Sequence, residues 1–174
     1  MSVTRARGAE GAELAEVAAT TFPLACPPAA DPAEIAAHIA AHLSARAFAE
    51  HLADPDRIVL VAREDGRIVG YAMLVRGVGD DPDVDAAVGP RPAVELSKMY
   101  VLATHHRSGA AASLMQSGLD WAEADGAAAV WLGVNQTNQR AQRFYGKHGF
   151  AVTGARTFRL GNGTEDDFVM VRTV

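Results

Sequence analysis

The stretch HHRSGAAASLM, His105 to Met115, sets a basic turn, a glycine and a run of alanines in front of an apolar pattern at helical spacing. A helix beginning near Gly109 presents its first N–H groups without intrahelical partners, and its macrodipole adds partial positive charge at the same end. That end suits a phosphate. On this stretch alone, an ordinary alanine-rich helix after a polar turn reads the same way, so the rest of the chain must decide. No Gly-Lys-Ser/Thr follows, which excludes a nucleotide P-loop. Other reactive residue types lack companions. His38 and His42 stand four apart on a predicted helix, but no third ligand has metal-binding spacing, so solvent-facing histidines are expected. Cys26 is the only cysteine. It lies in an apolar, proline-bounded loop with no adjacent base, and an inert buried thiol is expected. The acidic runs Asp80-Asp81-x-Asp83-x-Asp85 and Glu165-Asp166-Asp167 are expected to be solvated loops.

The elements that must position these residues follow from periodicity and punctuation. Ser2 to Arg7 reads as a short strand, and LAEVAATTF as a helix running up to Pro23, followed by the loop PLACPPAADP. Asp31-Pro32-Ala33-Glu34 combines a cap residue, proline at the first helical position and glutamate two further on, which predicts a helix to about Leu43. Ser44 caps a second short helix carrying Phe48 and Leu52. RIVLVA and RIVGYAMLV, joined by Glu64-Asp65-Gly66, predict a hairpin. GVGDDPDVDAAVGPRP reads as an acidic loop and AVELSKMYV as a strand. The helix after Gly109 carries Leu114, Met115, Leu119 and Ala122 on one face. AAAVWLGV, apolar on both faces, reads as a buried central strand. A helix capped by Asn138 ends before Gly149, and a final hairpin turns at Gly161-Asn162-Gly163. The strand, helix, strand unit from Glu95 to Val134 is a crossover, which makes its two strands parallel. In such a unit the helix opens at the carboxyl end of the first strand, where ligands bind. The expected fold is a mixed α/β sheet flanked by helices.

At 174 residues a single domain spanning 1–174 is expected. The 49% hydrophobic and 21% charged residues are those of an ordinary globular protein. A formal net charge of -5 leaves no basic stripe, so nucleic acid is a poor partner and a cationic small molecule a better one. Glu10, Glu13 and Glu16 interrupt what would be the apolar part of a signal peptide. No run of about 20 apolar residues could span a membrane. No membrane partner, no metal and a reducing cytoplasm are expected, and a homodimer stays possible.

ELSKMYVLATHHRSGAAASLM, followed by VWLGVNQTNQRAQRFYGKHGF, resembles the two cofactor-binding motifs of the Gcn5-related N-acetyltransferases (GNAT). The first, Gln/Arg-x-x-Gly-x-Gly/Ala, falls on His106, Arg107, Ser108, Gly109, Ala110 and Ala111. The second, Asn-x-x-Ala-x-x-Phe-Tyr, is matched by Asn138, Ala141, Phe144 and Tyr145. The resemblance extends in element order over nearly the whole chain. The C-terminal part is similar to PaiA-type spermidine/spermine acetyltransferases. It implies a mostly antiparallel sheet whose central parallel pair splays to admit coenzyme A, with acetyl-CoA as cosubstrate and an amine as acceptor. It also implies that the backbone of Met99, Tyr100 and Val101 pairs with the pantetheine arm and stabilises the oxyanion. The departure is His106 where the family has Gln or Arg. A histidine donates to phosphate best when protonated, which makes cofactor affinity pH-dependent, and Arg107 could compensate.

An aliphatic amine has a pKa near about 10.4, so at pH 7 only about one molecule in several thousand is neutral, a deficit of roughly 4.6 kcal/mol. A proton acceptor is needed. By period two Glu95 shares a strand face with Ser97 and Met99, from which its carboxylate could drain the proton through a water. An exposed or arginine-paired glutamate is the competing reading, and a bulge could also change its facing. Tyr145 is the candidate general acid, since a phenol can protonate the departing thiolate. Asn138 serves as helix cap and cofactor contact. The favoured acceptor is a polyamine such as spermidine or spermine, and because the resemblance implies that the final hairpin borders the acceptor site, the run Glu165-Asp166-Asp167 could attract it. A non-catalytic acyl-CoA sensor, or transfer to a protein N-terminus, an amino acid or an aminoglycoside, stays open.

Overall fold

The computed structural model describes residues 1–160 and 162–174, so Gly161 of the expected final turn lies outside the described residues. Seven strands form one sheet in the order β1-β2-β3-β4-β5-β7-β6. In chain order the elements are β1 (Ser2–Arg5), α1 (Gly11–Ala25), α2 (Pro32–His42), α3 (Ala45–Ala53), β2 (Arg57–Glu64) and β3 (Arg67–Arg76). They continue with α4 (Pro82–Ala87), β4 (Ala93–Val101), α5 (Ala110–Ala124), β5 (Ala129–Asn135), α6 (Gln139–Lys147), β6 (Ala151–Leu160) and β7 (Gly163–Thr173). All neighbouring strands are antiparallel except β4 and β5. This is the mixed sheet with one parallel pair that the crossover demanded.

Local chemistry accounts for most boundaries. Asp31 accepts the Ala33 N–H at 2.8 Å, Ser44 the Ala47 N–H at 3.1 Å and Asn138 the Ala141 N–H at 3.1 Å, each occupying a donor that its helix cannot satisfy itself. Glu34 instead reaches the far hairpin and accepts the Asn162 N–H at 3.1 Å. The β2–β3 turn places Asp65 and Gly66 at φ 49° and 80°, the paired positive values that match the twist of a two-residue hairpin.

Three apolar groups hold helices to the sheet. Leu114, Met115, Leu119 and Ala122 of α5 pack on Leu60, Leu74, Leu96, Val130, Leu132 and Met170. On the opposite face Leu14, Ala18 and Phe22 of α1 and Phe48 of α3 pack on Val59, Val61, Tyr71 and Met73. Each leucine, valine, phenylalanine or methionine among them contributes roughly 1.5–3 kcal/mol when fully buried. The third group corrects an expectation. The acidic segment after β3 is not a loop throughout, because Asp81 accepts the Asp83 N–H, Pro82 opens α4, and Val84 and Val88 bury against Trp131, Val169 and Val171. Its aspartates face water while its valines anchor it. The second acidic run is likewise strand, Glu165, Asp166 and Asp167 all lying within β7. α1 also runs through Pro23, which falls in its last turn.

Candidate active site

Strands β4 and β5 pair only at Ala93–Ala129, Val94–Val130 and Glu95–Trp131. Beyond that point they part. The cause lies in β4, where Leu96 pairs with Leu74 and Lys98 with Met73, leaving Ser97 as the extra residue of a bulge. A bulge bends its strand and increases its twist. It also shifts the alternation of side chains. Leu96 and Met99 join the α5 face, whereas Lys98 pairs with Met73 and Tyr100 packs with Tyr71 on the α1 face. The expectation that Glu95 shares a face with Met99 is therefore corrected, because one inserted residue breaks the period of two. Glu95 pairs with Trp131 in the stretch that is still closed, half-buried, where burial raises its carboxyl above the usual range against the pull of Arg156, Lys98 and Arg57.

The gap between the parted strands holds two cavities that share Ala25, Met99, Tyr100, Asn138, Ala141 and Tyr145. One, of about 210 Å³, leads past Val101, His106 and Ala111 to the opening of α5. There Gly109 adopts φ 87°, a left-handed turn that favours glycine, with open space where a Cβ would stand. Ser108 donates to the His105 carbonyl at 2.8 Å and Ala110 N–H reaches the Ser108 hydroxyl at 3.3 Å. Arg107, Ser108 and Gly109 are exposed, Ala110 buried and Ala111 between. The first-turn N–H groups of α5 and the small residues around them fit the pyrophosphate of coenzyme A. His106 Nε2 donates to the Val101 carbonyl at 2.9 Å, which leaves its other nitrogen for a ligand. Arg140, at the start of α6, lines the same cavity and was not singled out from the sequence, although its place two residues after the Asn138 cap was a usable signal.

The second cavity, of about 220 Å³, runs to the opposite face between the end of α1 and the β6–β7 hairpin, where Lys98, Asn135, Arg156, Glu165 and Asp167 line it. Arg156 lies over the Trp131 ring, 5.4 Å from its centroid, in space that exists because position 133 is glycine, whose absent Cβ would collide with the guanidinium. Its Nε stands 3.5 Å from Asp167 Oδ2. Asp167 is buried, 6% exposed, and burial lifts its carboxyl while Arg156 draws it down. The resemblance set the run containing Asp167 beside the acceptor site without singling Asp167 out, and sequence reasoning did not single out Lys98 or Arg156. Tyr145 stands where the cavities meet, and burial pushes its phenol up to about 12. Cys26 also faces this space, with its Sγ 3.4 Å from the Phe22 carbonyl and its thiol pushed up by burial, so it stays protonated. His38 is stacked on Phe22, ring centroids 4.6 Å apart, rather than turned fully to solvent. Among the described residues no group of three or more His, Cys, Asp or Glu could hold a metal ion, and no helix is long and apolar enough to cross a membrane.

A sheet opened between a parallel pair, a phosphate-suited helix end on one side and a polar pocket on the other, with a phenol between them, is the arrangement that the resemblance to the GNAT family implied. The sequence profile of the acetyltransferase (GNAT) family matches residues 18–150. A protein of Mycobacterium tuberculosis described as an uncharacterized N-acetyltransferase is 59% identical over 160 residues, which is 92% of this chain and 95% of the relative. The chain belongs to the GNAT family and is an N-acetyltransferase of that type. Two solved structures share the fold. PaiA N-acetyltransferase from Thermoplasma acidophilum in complex with coenzyme A superposes with a TM-score of 0.77 at 18% identity, covering 100% of both chains. The ribosomal-protein-S18-alanine N-acetyltransferase from Escherichia coli does so with a TM-score of 0.70 at 17% identity, covering 99% of this chain and 93% of that one.

Proposed function

We propose that residues 1–174 act as one domain that transfers the acetyl group of acetyl-CoA to a primary amine, with a polyamine such as spermidine or spermine as the favoured acceptor. The observation that carries this reading is the pair of cavities meeting at Met99, Tyr100, Asn138 and Tyr145. The thioester enters from the α5 side with its pyrophosphate at Gly109–Ala111, and the amine enters from the α1 and β7 side. Backbone groups of Met99, Tyr100 and Val101, released from β5 by the splay, pair with the pantetheine arm and hold the carbonyl oxygen as it gains charge. Tyr145 gives its proton to the departing sulfur. Arg140 and Arg107 add positive charge near the phosphates. Glu95 was the sequence's candidate for the proton acceptor, and Asp167 is a second carboxylate, placed within the acceptor cavity itself.

The polyamine reading draws support from the net charge of -5, from Glu165, which lines the acceptor cavity, and from the likeness to PaiA. The lining itself is balanced, Lys98 and Arg156 against Glu165 and Asp167, so attraction of a polycation would act at long range. Acetyl-CoA turnover should therefore be measured against a panel that includes spermidine, spermine, amino acids, an aminoglycoside and an N-terminal peptide. For the polyamines kcat/KM is expected to fall severalfold between low and physiological salt, because screening shortens the reach of the surface charge. A neutral or anionic acceptor that outperforms them rejects the polyamine. Absence of turnover with every amine, together with tight acetyl-CoA binding, favours the sensor.

A further inference from the structure

The acceptor cavity is lined by a carboxylate, Asp167, from the acidic run that the resemblance set beside the acceptor site. Asp167 lies directly opposite Asn135 of β5 and Arg156 of β6, and it is buried. A buried carboxylate is costly unless fully paired. Here the pairing is loose, since 3.5 Å to the Arg156 Nε is beyond a normal charge-assisted hydrogen bond. The guanidinium stays over Trp131 and Gly133 instead of closing on the carboxylate. The remaining acceptor capacity of Asp167 belongs to a cavity it lines together with Tyr100 and Tyr145. Glu95 is not among the residues lining that cavity, and it pairs where β4 and β5 are still joined.

Resting on the acetyltransferase reading, we propose that Asp167 is the catalytic carboxylate that binds the acceptor's ammonium group and takes the protons its nitrogen loses, and that Arg156 is a positioning residue for it. The steps balance. The ammonium gives one proton to Asp167, which passes it to solvent. The freed lone pair forms the N–C bond to the acetyl carbon while the carbonyl π pair moves to oxygen. The new nitrogen centre yields a second proton to Asp167. The oxyanion pair then re-forms the carbonyl as the C–S bond breaks, the C–S pair goes to sulfur, which takes the Tyr145 proton, Asp167 releases its second proton to solvent, and Tyr145 is reprotonated from solvent. The net products are the acetamide, the coenzyme A thiol and one proton.

The groups around Asp167 set its behaviour with pH. Arg156 approaches from β6, Glu165 and Asp166 lie on its own strand, Lys98 and Tyr100 on β4, Cys26 at the end of α1 and Tyr145 on α6. Burial, Glu165 and Asp166 raise its carboxyl, and Arg156 lowers it. A base must be deprotonated to act, so the rate rises with pH through this group. Removing Arg156 takes away the lowering influence and moves the acidic limb to higher pH.

The test is the pH profile of kcat/KM, with the amine that the wild-type enzyme acetylates best, for wild type, Asp167→Asn, Arg156→Gln and Glu95→Gln. Asp167→Asn is expected to lose about a hundredfold with its acidic limb abolished and acetyl-CoA affinity unchanged, in the usual range for a positioned base. Arg156→Gln, which leaves the carboxylate in place, is expected to keep the limb and shift it upward. Glu95→Gln is expected to keep the wild-type limb. An Asp167→Asn enzyme within about threefold of wild type, an Arg156→Gln limb that stays put, or a limb lost in Glu95→Gln overturns the assignment. A wild-type enzyme that acetylates no amine overturns the acetyltransferase reading beneath it, an outcome separate from any behaviour of the variants.

Discussion

Tyr145→Phe is expected to lower kcat by about 10² to 10⁴, the usual worth of a positioned general acid, while acetyl-CoA affinity and stability hold. The substitution keeps the ring that meets Phe144 at 5.6 Å and Phe150 at 6.0 Å, and it removes only the hydroxyl at the junction of the two cavities. Burial pushes the phenol up to about 12, so the proton to be donated is present throughout the physiological range. An alkaline decline of the rate near neutral pH is therefore expected to have another source and to persist in the variant. A loss confined to KM would mean the hydroxyl binds ground and transition states equally. Single-turnover measurement at saturating acetyl-CoA separates chemistry from product release. A chemical step within about threefold of wild type removes Tyr145 from the mechanism.

Ala111→Glu is expected to weaken acetyl-CoA binding about a hundredfold without unfolding the protein, because charge-assisted hydrogen bonds of roughly 1.5–3 kcal/mol each are lost or opposed there. The two effects of the new carboxylate have opposite signs. In the first turn of α5 it favours the helix by about 0.3–1 kcal/mol, yet it faces the place where the pyrophosphate must approach. Ala111 lines the cavity beside His106, so the charge lands at the proposed phosphate site. Gly109 is the poorer position for this test, since φ 87° strains any side chain and mixes backbone cost with charge. Calorimetric titration against a melting curve reads both effects. Undiminished affinity in a folded Ala111→Glu protein overturns the placement of the phosphates.

Much of the fold was legible because it depends on bonds between residues close in the chain. The caps at Asp31, Ser44 and Asn138 act across two or three residues, the Asp65-Gly66 turn across four, and the buried face of α5 repeats within its own helix. The Asp81-Pro82 cap carried the same signal as Asp31-Pro32, but α4 spans only six residues and its apolar face is two valines among aspartates. The positions of Gly109, Asn138 and Tyr145 could likewise be located from short motifs. The facing of Glu95 could not, because the Ser97 bulge shows only in the register of β4 against β3, and one extra residue exchanges the two faces of a strand. Nor could the acceptor pocket. Asp167 and Arg156 become neighbours through the pairing of β7 with β6, Gly133 of β5 supplies the room for the guanidinium, and burial turns a residue of an acidic run into a carboxylate with raised affinity for a proton. The sequence by itself determined where the thioester's helix end and the phenol lie, since those rest on local hydrogen bonding. Only the tertiary structure decided which charged groups line the proposed acceptor cavity, since that rests on register and on exclusion from water.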